Sequence, residues 1–409
     1  MDKISIDKVK NYIYKNWENC LFDGEVDEKE IYPLPYPFST PSMNGFFCKT
    51  QFYWDTYFIN IGLIKSNESE QALKNVENML YQVEKFGHVG NDNSHIGMKR
   101  SQPPLLSEAV LDLYKTYGDK KWLERAYSIL EKEYSFWQTE RMTPTGLNRY
   151  YHSSDDDYLI VFGEYMLERL KLERPDNLID MAKNYLAEAE SGWDFCCRYN
   201  GKGADYIPID LNSILYKFES NMLYFSKELN TKTEALWENR RNKRKELMYK
   251  YCFNSKTGCF YDYNYKTNTL SDVISVAMLY PLWANIDVEK NSQSIIKTVF
   301  DALYYPHGIA ACQNKGERPL QWEFPNAWPP LHFFAIEALL NSKQEEKAKE
   351  LASKYINATV NNFEKTGGLW EKYNCVTGTL DVTDEYEMPT MMGWSASVFL
   401  YCCDIIAAV

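Results

Sequence analysis

Apolar residues recur at helical spacing along most of this chain, in pairs of segments separated by short breaks, and this pattern narrows the possible folds more than any other feature. Leu105, Leu106, Ala109, Val110, Leu113 and Tyr117 form one stripe. Gly118-Asp119 breaks it, and Trp122, Ala126, Ile129, Leu130, Glu133 and Trp137 form the next, apolar except for Glu133. That is the pattern of an αα-hairpin. Similar pairs join 159–171 with 178–197, 211–229 with 233–252, and 327–340 with 344–363. Segments 72–86, 273–286, 293–303 and 394–408 bring the total close to twelve helices, with only short strand-like pieces. No low-complexity linker or strict repeat divides them. The expectation is one all-α domain over residues 1–409, a toroid of paired helices called an (α/α)6 barrel. Residues 1–45 are read as an N-terminal helix and an irregular lead-in. An open array of helical repeats is the alternative. In a barrel, loops at one end build the site, so motifs between helices matter most.

Charge and composition exclude several partners. The chain carries 57 Asp and Glu against 45 Lys and Arg, a net charge of -12, which repels nucleic acid and anionic lipid surfaces. The dense basic stretch at 240–245 reads as a solvated helix face. Ten cysteines include no C-x-x-C pair, and the five histidines, His88, His95, His152, His307 and His332, lack metal-ligand spacing. No phosphate or dinucleotide fingerprint and no nucleophile elbow appears. Neither a metal nor an organic cofactor is expected. The opening MDKISIDKVKNYIYKNW has no apolar run, and no later stretch is apolar enough to span a bilayer. A cytoplasmic protein with reduced thiols is the expectation. The 32 Tyr, 20 Phe and 11 Trp suit core packing, and also suit flat platforms for sugar rings.

Hydrolysis of a glycoside with inversion needs one protonated carboxyl group and one ionised one, with room between them for water. A carboxyl group among aromatic neighbours can have its pKa raised by desolvation. Asp194, in Ser191-Gly-Trp-Asp-Phe195, fits that description. It fits equally a helix-terminal Asp paired with Arg198. Glu371, in Gly367-Gly-Leu-Trp-Glu-Lys-Tyr373, follows a glycine turn and a Trp, but its neighbour Lys372 offers an ordinary surface pair. In Arg100-Ser-Gln-Pro-Pro104 a cation and an amide precede a helix whose first turn can hold the two prolines. They could fork onto sugar hydroxyls, or merely cap that helix. Phe52-Tyr-Trp-Asp-Thr-Tyr57 and Gln321-Trp-Glu-Phe-Pro-Asn-Ala-Trp328 each set a carboxylate beside an indole, for gripping hydroxyls while stacking on a ring or for core and capping.

Taken in order, these segments resemble the trehalase family, glycoside hydrolase family 37. The resemblance rests on Trp54-Asp55-Thr56-Tyr57, Asn91 ahead of Arg100 to Pro104, Leu147-Asn-Arg-Tyr150, Ser191 to Phe195, Asp210-Leu-Asn212, Gln321 to Trp328 and Glu371-Lys-Tyr373. It implies Asp194 as general acid and Glu371 as general base. It also implies Trp54, Asp55, Asn91, Arg100, Gln102, Trp322 and Glu385 as the lining of the sugar pocket. The implied activity is inverting hydrolysis of a small α-glucoside, α,α-trehalose first and a glucosylglycerate or mannosylglycerate second. Three departures bear on substrate. The family's Gly-Gly-Arg-Phe loop is replaced by Pro41-Ser-Met-Asn-Gly-Phe-Phe47, and its Pro-Arg-Pro-Glu segment by His152-Ser-Ser-Asp-Asp-Asp157. Its glycine-rich lid is replaced by Val376-Thr-Gly-Thr-Leu-Asp-Val-Thr-Asp384 ahead of Glu385-Tyr386. A sugar 2-epimerase on the same barrel would call on paired histidines, for which no partners stand out. A non-catalytic sugar-binding relative would leave the two carboxyl groups in separate regions.

Overall fold

The computed structural model describes residues 3–45, 47–286, 288–313, 320–382 and 386–407. Its helices are α1 (Lys3–Asn16), α2 (Tyr53–Lys65), α3 (Ser69–Phe86), α4 (Leu106–Tyr117), α5 (Lys120–Glu140), α6 (Asp156–Leu170), α7 (Leu178–Glu190), α8 (Ile209–Leu229), α9 (Glu234–Tyr251), α10 (Tyr280–Trp283), α11 (Val288–Leu303), α12 (Pro329–Asn341), α13 (Glu345–Thr366) and α14 (Gly393–Ala407). The strands among the described residues are two-residue pieces in antiparallel ladders.

The inner helices form a closed ring. α2 packs on α4, α4 on α8, α8 on α10, α10 on α12, α12 on α14, and α14 returns to α2. This closure is that of a toroid and rules out the open array. Outside it, α3, α5, α9, α11 and α13 pack against the ring, and α1 lies on α13. The last seam is tight because glycines face it. A methyl group on Gly62 of α2 would sit 2.2 Å from Ser397 Oγ, and one on Gly393 of α14 would sit 2.6 Å from Ile59 Cγ1.

Local signals in the α4–α5 hairpin explain its break. Gly118 closes α4 in a left-handed conformation, and the Asp119 side chain accepts hydrogen bonds from the N–H groups of Lys121 and Trp122 at the start of α5. Elsewhere the structure corrects the expectation. α2 was not among the expected helices; ten of its thirteen residues are buried, so it shows no amphipathic stripe. Segment 273–286 is a 3-10 turn at Val276–Leu279 followed by the one-turn α10, with Pro281 at its start. Pro103 and Pro104 lie before α4 rather than in its first turn. In α9 the basic stretch is not uniformly solvated. Arg244 is 4% exposed and bonds Glu219, Asn148 and Asn212.

Segment 178–197 divides, with α7 ending at Glu190. The pair α6 and α7 pack on each other as a hairpin beside the ring, with apolar clusters of their own around Met166, Leu170, Ala189 and Phe195 and around Leu159, Ala182 and Leu186. No helix among the described residues is long and apolar enough to cross a membrane.

Glu133, the polar member of the α5 stripe, is fully buried. One carboxyl oxygen accepts the Tyr53 hydroxyl, which in turn accepts the N–H of Leu106 at 3.0 Å and so joins α2, α4 and α5. Burial pushes the Glu133 carboxyl up to about 8, with the Tyr53 bond opposing. Between the ordinary glutamate value and 8, the folded protein holds a proton that the unfolded chain has released, so raising the pH through this window removes stability. Glu133→Gln is expected to reduce that slope by up to about 1.4 kcal/mol per pH unit between pH 6 and 8. Urea unfolding across this range measures it, and an unchanged slope would contradict a buried protonated Glu133.

Candidate active site

A cleft of about 1470 Å³ opens at one end of the ring. It is larger than the roughly 300–1,000 Å³ of most small-molecule sites. Trp54, Asp55, Asn91, Arg100, Gln102, Asp194, Trp322 and Glu371 all border it. Eight of the nine residues singled out from the sequence therefore meet in one place, from segments scattered over the chain. Glu385 lies outside the described residues.

The cleft has an aromatic floor. Trp322 stacks on Trp328 with ring centroids 3.7 Å apart and on Trp193 at 5.8 Å, while Trp54 packs against Trp322 and Trp394. Trp54 opens α2, and its N–H donates to Gln102 Oε1 at 3.0 Å. Asn91 joins the same wall, its N–H donating to the Arg100 carbonyl at 2.8 Å and its carbonyl accepting from Tyr53 at 3.1 Å. Arg100 also borders the cleft, and its buried Nε hydrogen has no partner among the described residues.

Asp194 stands beyond α7 rather than in it. The chain leaves the helix at Ser191 and turns through Gly192, whose φ is +74. A methyl group there would come within 2.8 Å of the Trp54 indole, so the position requires glycine on two counts. Gln321 Nε2 donates to the Asp194 carbonyl at 2.5 Å. The carboxyl group keeps 34% of its side chain open to the cleft, and Arg169 Nη2 donates to Oδ2 at 3.3 Å. Desolvation raises its pKa above the usual aspartate value, Arg169 and Arg100 oppose this, and Glu371 adds to it. Arg198 is not its partner. That guanidinium is buried between Asp210 and Asp262 and lies over the Trp193 ring.

Glu371 has the opposite surroundings. It is 1% exposed, and each carboxyl oxygen accepts a hydrogen bond, from Lys372 Nζ at 2.8 Å and from the Tyr386 hydroxyl at 2.6 Å. Lys372 is equally buried, over the faces of Trp328 and Tyr386, so the surface pair read from the sequence is an interior one. Trp394 Nε1 holds the Glu371 carbonyl at 3.1 Å, and the ladder of Tyr373–Asn374 with Asn326–Ala327 ties this segment to the tryptophan floor. Asp55, in the first turn of α2, is pushed up to about 8 by burial and then by Glu371 and Asp194. That shift favours its neutral, hydrogen-bonding form beside Asp194 and Glu371.

The sequence left out Arg169, Tyr386 and Lys372 as contributors. The family model for trehalase matches residues 7–407. The chain belongs to the trehalase family.

Its relatives include a probable trehalase of Oryza sativa subsp. japonica, 29% identical over 91% of this chain and 73% of that protein. A periplasmic trehalase of Escherichia coli is 28% identical over 97% of this chain and 74% of that one. Among solved structures, the neutral trehalase of Saccharomyces cerevisiae superposes with a TM-score of 0.78 at 24% identity, over 97% of this chain and 80% of that one. A mannosylglycerate hydrolase of Thermus thermophilus reaches 0.67 at 12%, over 96% and 99%. At these identities the structural likeness is one of fold.

In this trehalase-family cleft Gly192 joins the turn before Asp194 to the tryptophan floor. Gly192→Ala is expected to cost about 1–3 kcal/mol of stability through a strained backbone and to displace Trp54. Thermal unfolding and tryptophan fluorescence read both effects, and a variant matching the parent in both would contradict this packing.

Proposed function

We propose that this protein is an inverting glycoside hydrolase that cleaves α,α-trehalose into two glucose molecules. Membership of the trehalase family supports the substrate. The observation that carries the mechanism is the pair of carboxyl groups on one cleft, Asp194 with burial favouring its protonated form and Glu371 with both oxygens accepting hydrogen bonds.

Asp194 gives its proton to the glycosidic oxygen as the bond to the anomeric carbon breaks. Glu371 takes a proton from a water molecule, whose oxygen attacks that carbon from the opposite face. The leaving glucose keeps the proton from Asp194, the attacked glucose emerges as the β anomer, and both carboxyl groups return to their starting states by proton exchange with solvent. Trp54 and Trp322 would carry the apolar face of a ring, while Arg100, Gln102, Asn91 and neutral Asp55 would hold its hydroxyls. This chemistry draws on the protein's own carboxyl groups.

A second reading is a compact α-glucoside with an acidic aglycone such as glycerate. Two guanidinium groups, Arg100 and Arg169, border the cleft and could receive a carboxylate. A panel of trehalose, other α-linked disaccharides and glucosylglycerate separates the two. A non-catalytic sugar binder is disfavoured because Asp194 and Glu371 border the same cavity.

Asp194→Asn and Glu371→Gln are each expected to lower kcat on trehalose by at least about 10²–10⁴-fold while leaving thermal unfolding close to the parent's. Proton NMR of the first turnover should show β-glucose appearing ahead of mutarotation. A fully active Asp194→Asn, or an initial α anomer alone, would refute this assignment.

A further inference from the structure

Asp194 faces a cation that the sequence did not point to. Arg169 lies in the last turn of α6, its guanidinium rests 4.9 Å from the Phe195 ring centroid, and its side chain is 13% exposed. The cation is thus partly withdrawn from water and directed at the acid's carboxyl group. The contact reaches Oδ2 at 3.3 Å, a long hydrogen bond with room to shorten.

We infer that Arg169 is a positioning residue for the general acid: by donating to Oδ2 it leaves the transferable proton on Oδ1, and its charge receives the carboxylate that forms as that proton leaves. This inference rests on the hydrolytic reading above. An arginine donates only, so the oxygen it bonds must accept, and because the carbonyl-type oxygen of a protonated carboxyl group is the better acceptor, Asp194 is favoured to carry its hydrogen on the other oxygen. As the proton moves to the leaving oxygen, negative charge grows on Asp194, and the attraction to Arg169 is stronger in the transition state than in the ground state. Interactions of that kind lower the barrier. A cation beside a general acid also carries a cost, because it favours early loss of the proton. Burial offsets that cost, so the two influences act in opposite directions on one group.

Other charged and titratable groups also act on Asp194. Arg100 acts from the loop before α4, Glu371 and Tyr386 from the loops after α13, Asp55 from α2 and Glu188 from α7. Arg169 is the one on α6 that bonds the carboxyl group itself among the described residues.

The test compares Arg169→Gln and Arg169→Lys with the parent on trehalose and on α-glucosyl fluoride, whose leaving group needs little protonation. For Arg169→Gln, kcat on trehalose is expected to fall about 10²-fold, with a much smaller loss on the fluoride. Removing the cation raises the Asp194 pKa, so the alkaline limb of kcat/KM should move to higher pH. Arg169→Lys should restore the limb and part of kcat. Equal losses on both substrates with an unmoved limb would mean that Arg169 merely supports the fold, and would overturn the inference. A parent inactive on α-glucosides, or an Asp194→Asn variant as active as the parent, would instead refute the hydrolytic reading, so the two failures are distinguishable.

Discussion

The buried carboxylate of Glu190 is the interaction on which the site depends most. It ends α7, is fully withdrawn from solvent, and accepts three contacts at 2.8–3.1 Å from the equally buried Arg141 at the end of α5. It also accepts the N–H of Ser101 at 2.7 Å and that of Tyr151 at 2.7 Å. One side chain thus fixes the segment bearing Arg100 and Gln102, the segment after Tyr150, and the turn that leads to Asp194. Gln102 then holds the N–H of Trp54, and Trp54 lies against Gly192. The circuit closes within a few residues of where it began. Buried ion pairs often contribute little net stability, because desolvation cancels much of their attraction. Their value here is geometric, since a full set of donors around Glu190 admits one arrangement of the loops.

A second knot lies just downstream. Arg198 bonds Asp210 and Asp262, Asp262 also takes the N–H of Ile209 at the start of α8, and the guanidinium covers the Trp193 ring. Asp194 therefore projects into the cleft from a short span pinned at both ends by charges that do not face it. This separation lets the carboxyl group respond to the cleft, through Arg169, Arg100, Glu371 and the degree of burial, while its backbone is held by other means. Glu371 is treated differently. Its restraint is direct, by a lysine and a tyrosine on its two oxygens. Asp194 keeps part of its side chain open to the cleft while both Glu371 oxygens are held by donors, which is the arrangement the proposed acid and base roles call for.

Much of this was legible in the sequence where the information is local. Paired amphipathic stripes and the Gly118-Asp119 break mark helices that bury one face. α2 escaped because an inner-ring helix is apolar nearly all round and has no periodicity to detect. Local chemistry alone made Asp194 a fair candidate and Glu371 a poor one, the ordered motifs brought the eight described pocket residues together, and the local reading misled in two places. Arg198, four residues after Asp194, looked like its helical partner, but the helix has ended by then. Lys372, beside Glu371, looked like a surface residue, although one adjacent lysine cannot reveal that Trp328 and Tyr386 cover it. Arg169 was invisible for a plainer reason. It lies 25 residues from Asp194 in the chain, in the last turn of a helix where a basic residue is ordinary.

The placement of Arg169 has a consequence for how such a site can vary. Trp54, Trp322, Glu371 and Asp55 sit on the ring or on loops tied to it, whereas Tyr158, Phe162, Tyr165 and Arg169 reach the cleft from α6. That hairpin has its own apolar clusters beside the ring core. A change in α6 can therefore alter one wall of the cleft without repacking the barrel. A change that shifts α6 or replaces Arg169 also reaches Asp194, because the same helix carries the cation that bonds its Oδ2. On this geometry one element, α6, both shapes a cleft wall and carries the cation that bonds Asp194, the proposed general acid. A substitution that suits a new aglycone in shape must also keep a guanidinium or an equivalent charge at this point.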